Sequence, residues 1–419
     1  MFETSRMEET ATAAPDAGVP PALEKAFLKS LPAGSAFEMQ MPGQPVWRIG
    51  NGTVRFRVTA NNARATSAVK SLDEIRIAEA YLSGDLDIEG DLLAAFDLRN
   101  SLSDTHLLAY LWSTYGQHLF YGKRASDRKS ISQHYDTDGN MHLHFLDSQF
   151  RCYSNGYFEQ EDESLERAIE RKLTTAFQSA GITPGMRVLE VGGGWGSFNE
   201  FAGKRGAHVT SLTISKDSEA YCKELIRSEN LPCEIVLEHF LEYKTDQPYD
   251  AIVNLGVTEH LPDYPASLRQ YAALLKPGGK VFLDACASAN KFPFSRFILK
   301  YIYPGDETPL HLPSYLEAVG ESPFELCFAH NDRISYMLTA RHWAENLDRN
   351  RAVIAARWGE SVYRRFRLYL WGCVHVFATG DVTAYHWMLQ LRSGSGGRTL
   401  LTRNTPTTIL KKIRRAILP

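Results

Sequence analysis

The segment from Glu190 to Gly196 combines residue types and a spacing that suit the binding of a nucleotide cofactor. It contains Gly192, Gly194 and Gly196, and an apolar run at residues 187–192 leads into it. Glycine lets the backbone turn tightly and approach a ligand closely. The N-terminus of a helix that follows such a turn offers N–H groups to the ligand. We therefore predict a cofactor-binding turn between a strand and a helix.

The spacing of these glycines distinguishes between kinds of nucleotide cofactor. The pattern is GxGxG and ends at Gly196, and because Ser197 follows, the GxGxxG pattern of dinucleotide-binding proteins is absent. Those proteins also carry an acidic residue about 20 positions further on, which binds a ribose. Thr213, Ile214 and Ser215 stand there instead. No Gly-Lys-Ser or Gly-Lys-Thr sequence follows the turn, which excludes a phosphate-binding P-loop.

Short apolar runs alternate with amphipathic stretches around this turn. We predict strands at residues 187–192, 207–213, 234–237, 250–255 and 279–285. We predict helices between them at residues 198–205, 216–229 and 264–276. Strands that alternate with helices form a parallel sheet covered on both faces. The sequence therefore predicts an α/β, Rossmann-like domain with a mostly parallel sheet.

Four regions are predicted along the chain. They are a disordered tail (1–22), a small N-terminal α+β domain (23–125), the Rossmann-like domain with helical insertions that cover the substrate (126–392), and a flexible linker with a basic tail (393–419). Within the small domain, Asn51-Gly52 lies between two runs of alternating apolar and polar residues. This pattern predicts a β-hairpin over residues 46–60.

The tail at residues 407–419 would be amphipathic as a helix. Isoleucines at positions 409, 413 and 417 fall on one face, and the basic residues at 411, 412, 414 and 415 fall largely on the other. Such a helix binds an anionic membrane surface. A solvated cationic tail, or a helix packed on its own protein, explains the pattern equally well.

Composition and charge exclude several classes of protein. The net charge of -3 is too small for a global attraction to nucleic acid. The six cysteines form no CxxC pair and no zinc-ligand spacing, which indicates reduced thiols in a cytosolic protein. His134, His142 and His144 lack a partner at a known ligand spacing, so we predict no metal site. With neither a secretory signal nor the roughly 20 apolar residues of a membrane span, we predict a cytoplasmic protein, peripheral where it meets a membrane.

Seven motifs, in order, resemble those of the cyclopropane fatty acid synthases and mycolic acid cyclopropane synthases. The matching segments are Ile131–Asp136, His144–Asp147, Tyr153–Phe158, Val188–Gly196, Thr213–Ser215, Thr258–Leu261 and Tyr301–Gly305. Their order and spacing agree over roughly residues 50–390, whereas any one motif alone would be unspecific. The resemblance implies a class I methyltransferase that adds the methyl carbon of S-adenosylmethionine to the double bond of a phospholipid acyl chain. It also implies a homodimer.

The resemblance also implies which residues bind the cofactor. They are Tyr153, Ser154, Glu190, Gly192, Gly194, Gly196, Thr213, Ile214, Ser215, His239 and Phe240. Of these, Tyr153 and Ser154 are expected over the methionine end of S-adenosylmethionine. His239 and Phe240 are expected near its adenine.

The group that holds a bicarbonate base in this family is only partly present. Glu259 and Tyr336 match it, but the family's cysteine is Asn155 and its histidine is Asp284. A glutamine of the family is Ser218. These departures weaken the expectation of bicarbonate as a second cofactor. They also weaken the prediction of a ring-closing enzyme, whereas the prediction of a methyltransferase is retained.

Methyl transfer to an alkene leaves a carbocation that a base must deprotonate, with a cyclopropane or a methyl-branched product. We predict that Glu259 either orients this base or acts as the base itself and that its charge stabilises the cation, with Tyr336 beside it. Asp284, expected at a strand end that faces the same crevice, is its predicted charge partner. The altered site leaves two alternatives open. They are a methyltransferase for a soluble small molecule, acting on nitrogen or carbon, and a catalytically silent protein that binds a lipid or cofactor.

Overall fold

The computed structural model describes residues 19–104, 139–290, 295–303 and 309–393. The chain divides into two compact units, each of which takes segments from distant parts of the sequence. Among the described residues, the first contains 19–104, 295–297 and 353–372, and the second contains 139–290, 298–303, 309–352 and 373–393. The four regions predicted from the sequence stay a prediction.

The first unit contains a four-stranded sheet with the order β2-β1-β3-β4. Its strands are β1 (Ser35–Gln40), β2 (Trp47–Gly50), β3 (Thr53–Ala60) and β4 (Leu86–Gly90). Its helices are α1 (Pro21–Ser30), α2 (Ala63–Ser71), α3 (Glu74–Leu82) and α4 (Leu92–Ala95), with a 3₁₀ helix at Phe96–Ser101. Helix α1 begins at Pro21 and so includes the last two residues of the tail predicted at residues 1–22, and residues 1–18 of that tail lie outside the described residues.

The hairpin predicted over residues 46–60 is wrong. Strand β1 lies between β2 and β3, antiparallel to β2 and parallel to β3. The turn at Asn51-Gly52 passes the start of β1, where a Cβ on Gly52 would lie 1.7 Å from the carbonyl oxygen of Gly34. The alternation of polar and apolar residues therefore identified β2 and β3 as strands. It did not show that β1, which comes earlier in the chain, lies between them.

The second unit contains a mixed sheet of eight strands. They are β5 (Arg187–Val191), β6 (His208–Thr213), β7 (Glu234–Leu237), β8 (Tyr249–Leu255), β9 (Leu275–Ser288), β10 (Leu310–His311), β11 (Phe324–Asn331) and β12 (Thr383–Leu391). The order is β11-β12-β9-β8-β5-β6-β7, and β10 pairs with β9. Strands β5 to β10 pair in parallel, whereas β12 is antiparallel to both β9 and β11. The predicted α/β class with a mostly parallel sheet is confirmed.

One helix precedes this sheet in the chain, and the others lie between its strands. The helices are α5 (Leu165–Ser179), α6 (Ser197–Gly203), α7 (Lys216–Ser228), α8 (Tyr264–Leu274), α9 (Arg296–Tyr301), α10 (Leu312–Gly320), α11 (Arg333–Arg349), α12 (Arg351–Trp358) and α13 (Glu360–Thr379). Short 3₁₀ helices lie at Gly139–His144 and Thr258–His260. The three helices predicted between the strands correspond to α6, α7 and α8.

Local sequence explains the elements that carry the site. Residues 188–191 of β5 are all buried, as expected for a central parallel strand, and all of them except Glu190 are apolar. Ser164 caps the N-terminus of helix α5, and its side chain accepts a hydrogen bond from the backbone N–H of Arg167. Its buried positions recur every three or four residues, and one of them is Lys172. No helix among the described residues is long and apolar enough to cross a membrane; the tail at 407–419 lies outside them.

Candidate active site

The glycine-rich turn connects β5 to α6 at the carboxyl edge of the parallel strands. Gly192 and Gly194 have φ angles of +87° and +49°, a region in which other residues are strained. The backbone N–H groups of Gly192 and Gly193 donate to the carbonyl oxygen of Leu212 in β6, at 3.0 and 2.8 Å. A Cβ on Gly192 would lie 2.3 Å from Cγ2 of Val257. Both conformation and space therefore require glycine at position 192.

A crevice lies at this turn and encloses about 1030 Å³ of empty space, which includes open solvent. Ten of the residues predicted to bind the cofactor line it: Tyr153, Ser154, Glu190, Gly192, Gly194, Thr213, Ile214, Ser215, His239 and Phe240. Ligands of open α/β sheets bind at this place, outside the carboxyl ends of the strands. The fold therefore brings four separate stretches of sequence to one crevice.

Gly196 is the predicted binding residue that does not line the crevice. It precedes α6 with a φ of +80°. A Cβ at this position would lie 2.6 Å from Cδ2 of Leu225 and 3.5 Å from Sγ of Cys222, both in α7. Glycine at this position allows the start of α6 to pack closely against α7, and the predicted contact of Gly196 with the cofactor stays a prediction.

Glu190 places a buried carboxyl group in the wall of the crevice. Ser211 Oγ donates to Glu190 Oε2 at 2.5 Å, and Asn199 Nδ2 donates to Ser211 Oγ at 2.8 Å. Burial raises the pKa of Glu190 to about 8, while the hydrogen bond from Ser211 lowers it to a smaller extent. An opposite charge nearby favours the ionised form of a carboxyl group. A cationic ligand would therefore bind well beside Glu190.

Ser218 and His260 line the crevice but were not predicted to do so. Ser218 Oγ donates to the carbonyl oxygen of Gly194 at 2.6 Å, and its backbone N–H donates to Oγ of Ser215 at 3.2 Å. These bonds hold the glycine-rich turn against the start of α7. The capping pattern of Ser215 followed three residues later by Ser218 was the available sequence signal.

Residues 152–158, the arm, run from the crevice between α5 and α11. The backbone N–H of Cys152 donates to Oδ2 of Asp147 at 2.7 Å. Further along, the N–H of Gly156 donates to Oγ1 of Thr339 in α11 at 2.9 Å. The arm is thereby fixed at Cys152 and at Gly156, and its residues 152–154 line the crevice.

The expected position of Asp284 is wrong. Strand β9 continues to Ser288, so Asp284 lies inside the strand and does not line the crevice. Its Oδ2 lies 2.8 Å from Nζ of Lys172, and both side chains are buried. Lys172 also donates to Oγ of Ser154. Lys172 was missed, although a lysine at an apolar-face position of α5 is a signal of a buried cation.

Glu259 and Tyr336 both contact Cys286. Glu259 Oε1 accepts from the backbone N–H of Cys286 at 2.6 Å, and its Oε2 has no hydrogen-bond partner among the described residues. Burial raises the pKa of Glu259 to about 7, against a lowering effect of His260. Tyr336 stacks on Phe377 with ring centroids 4.4 Å apart, and burial raises its pKa well above the ordinary value. Glu259 can thus accept a proton near neutral pH, while Tyr336 stays protonated.

His330, Asp332 and His386 place possible metal ligands within 4.8 Å of one another. Nδ1 of His330 lies 3.0 Å from Oδ1 of Asp332, and Nδ1 of His386 lies 2.6 Å from Oδ2. Each carboxylate oxygen of Asp332 accepts a hydrogen bond from one imidazole. These two hydrogen bonds account for the proximity of the three side chains without a metal ion. Of the three histidines considered from the sequence, His134 lies outside the described residues, and His142 is buried against the ring of Tyr153.

The crevice residues fit S-adenosylmethionine, which carries a sulfonium, an ammonium and a carboxylate. Glu190 suits a cationic group, and the glycines allow the main chain to approach the ligand. Trp195 lines the crevice, and its buried Nε1 has no hydrogen-bond partner among the described residues. A buried donor of this kind favours a ligand acceptor beside it.

Comparisons with known proteins agree with this fit. At 29% identity over 336 residues, the chain is similar to the "Probable fatty acid methyltransferase" of Pseudomonas putida, over 77% of this chain and 83% of that protein. Sphingolipid C9-methyltransferase B of Emericella nidulans is 24% identical over 369 residues, which cover 84% of this chain and 71% of that protein. The crystal structure of mycolic acid cyclopropane synthase CmaA1 complexed with SAH and CTAB matches with a TM-score of 0.58 and 27% identity, over 63% of this chain and 98% of that chain.

The family model described as mycolic acid cyclopropane synthetase matches residues 122–387, which is more than half of the chain. The matched range includes the arm, the glycine-rich turn and Glu259. The chain therefore belongs to the mycolic acid cyclopropane synthetase family and is an S-adenosylmethionine-dependent methyltransferase.

Proposed function

We propose that this methyltransferase adds the methyl carbon of S-adenosylmethionine to a double bond in the acyl chain of a phospholipid. The observation that carries the proposal is Glu259, a buried carboxyl group with a pKa of about 7 and an oxygen without a partner among the described residues. Methylation of a carbon–carbon double bond leaves a carbocation, and a base in the protein must then remove a proton from it. Methylation of a neutral amine gives an ammonium group that can lose its proton to water, so no base in the protein is required. The names of the fatty acid and sphingolipid methyltransferases support a lipid acceptor.

S-adenosylmethionine supplies an electrophilic methyl group when bound. The π electrons of the acceptor form the new C–C bond while the S–C bond breaks, and the adjacent acceptor carbon becomes cationic. Glu259 then takes a proton. If the proton comes from the new methyl group, a cyclopropane closes; if a hydride shifts first, a methyl-branched alkene results. At pH 7 roughly half of Glu259 would be ionised, which suits a general base.

The residues at the expected bicarbonate site do not fit that ion. Asp284 is held by Lys172, and Nδ2 of Asn155 is directed at the carbonyl oxygen of Gly156 at 3.4 Å. Asp284 also raises the pKa of Glu259 through like-charge repulsion, a smaller effect than burial. An anion placed here would meet two carboxyl groups rather than free donors. We therefore propose Glu259 itself as the base, with no step through bicarbonate.

We also propose that the acceptor is reached at a cytoplasmic membrane surface, with the basic tail at 407–419 as the contact and a homodimer as the assembly. The charge pattern of the tail supports the first part, and the family resemblance supports the second.

Incubation with S-adenosylmethionine labelled in the methyl group and vesicles of unsaturated phospholipid tests the proposal. We expect label in the acyl chain, with mass spectrometry showing one added carbon. Vesicles of saturated phospholipid are the matched control and should stay unlabelled. The same assay with an unsaturated sphingolipid and with a soluble amine tests the alternatives. If only the sphingolipid is labelled, the acceptor is a sphingolipid and not a phospholipid. If only the amine is methylated, the proposed chemistry is wrong.

A further inference from the structure

Lys172 is a buried cation in direct contact with the arm. Its side chain is 0% exposed, in the middle of the apolar face of α5. Its Nζ donates to Oγ of Ser154, lies 2.8 Å from Oδ2 of Asp284 and 3.9 Å from Sγ of Cys152. Removal of an ammonium group from water is unfavourable unless an opposite charge and further acceptors replace the water. Asp284 and Ser154 together meet that need.

The hydrogen bond from Lys172 also determines what Ser154 can do. An ammonium group can only donate, so Ser154 Oγ accepts from Lys172 and its own O–H can donate either to a ligand or to Sγ of Cys152, a weak acceptor 3.5 Å away. Ser154 lines the crevice. A Cβ on Gly256, which follows β8, would lie 3.2 Å from Cβ of Ser154, so the glycine leaves room for this side chain at the strand end.

We propose that Lys172 is a positioning residue for donor binding and acts through Ser154, with Asp284 as its counter-ion. The ammonium group fixes the Ser154 hydroxyl so that it can donate to an acceptor group of the bound methyl donor. Asp284 cancels the charge of Lys172, which would otherwise repel a sulfonium. The inference rests on the proposed binding of S-adenosylmethionine in this crevice.

Calorimetric titration with S-adenosylmethionine separates this role from a merely structural one. Ser154→Ala leaves the ion pair in place and should weaken binding about tenfold, the equivalent of about 1.4 kcal/mol, with a small fall in Tm because the buried Lys172 loses one acceptor. The double variant Lys172→Met/Asp284→Asn removes both charges and should cause a similar loss. Because both changes act through one hydroxyl, the triple variant should bind no more weakly than either. Lys223→Met, which removes an exposed partner of Glu219, is the matched control and should bind like the parent.

Three results would overturn the inference. They are parental affinity in Ser154→Ala, parental affinity in a folded double variant, and losses that multiply to about a hundredfold in the triple variant. If the double variant does not fold, Ser154→Ala decides alone. If the parent protein fails to bind S-adenosylmethionine, the proposed function fails; if the parent binds and transfers methyl groups while Ser154→Ala matches it, only the role of Lys172 fails.

Discussion

Replacement of Glu259 by glutamine should reduce activity and increase stability at the same time. Glutamine keeps an oxygen that can accept from the backbone N–H of Cys286, as Oε1 of Glu259 does at 2.6 Å. It removes the proton acceptor and the negative charge. Loss of a general base reduces turnover by about a hundredfold or more. We therefore expect kcat to fall at least to this extent, with little change in the affinity for S-adenosylmethionine.

The stability change follows from the raised pKa of Glu259, about 7 against an ordinary value of 4.5. A carboxyl group whose pKa is higher in the folded state binds protons more tightly there, so its contribution to stability is complete below pH 4.5 and declines as pH rises toward 7. The decline amounts to roughly 3 kcal/mol at pH 7 and about 1 kcal/mol at pH 5. Glutamine does not ionise, so the variant should exceed the parent in stability by about these amounts.

Urea unfolding at pH 5 and pH 7, together with the vesicle methylation assay, measures both effects. Glu224→Gln is a matched control on the exposed face of α7, and we expect neither turnover nor unfolding to change appreciably in it. Parental kcat in the Glu259 variant would remove this residue from the chemistry. A stability gain that stays constant between the two pH values would show that burial does not raise its pKa.

Three further predictions concern the turn and the tail. Gly192→Ala should weaken S-adenosylmethionine binding by about tenfold or more in calorimetry, because the new Cβ meets Val257 in a backbone conformation that alanine disfavours. Gly196→Ala should lower the unfolding free energy by about 1–2 kcal/mol in urea, since its Cβ meets Leu225, and should affect donor binding less. Deletion of residues 407–419 should reduce sedimentation with anionic vesicles, and unchanged sedimentation would refute the membrane contact.

The sequence predicted most of the sheet because its central strands are buried on both faces. Most of the buried residues of β5 and β8 are apolar, with Glu190 and Asn254 as the exceptions, so the local sequence identifies both segments as central strands. Pairing between strands is different, since it depends on contacts that the local pattern does not specify. The insertion of β1 between β2 and β3 is an example, and it made the predicted hairpin wrong.

The candidate site was predictable where one motif determines both backbone and contact, as at Gly192. It was not predictable where the contacts of a residue are made with residues distant in the sequence. Gly196 shares the motif but faces Leu225, and Asp284 lies within β9 rather than at its end. Lys172 was missed because a helix pattern shows that a residue is buried but not which charge meets it.

The buried charges around the crevice differ in how they are compensated, and the difference indicates where a cation binds. Asp284 has its counter-ion, Lys172, inside the protein. Burial raises the pKa of Glu190 to about 8 and of Glu259 to about 7, and neither has a comparable cationic partner among the ion pairs of the described residues. Uncompensated carboxyl groups destabilise a fold unless a ligand supplies the missing charge. A cationic group of the methyl donor would supply it at Glu190, and in the proposed reaction the cation formed on the acceptor would supply it at Glu259. The same electrostatics therefore favour both binding of the donor and stabilisation of the charge that its methyl group creates.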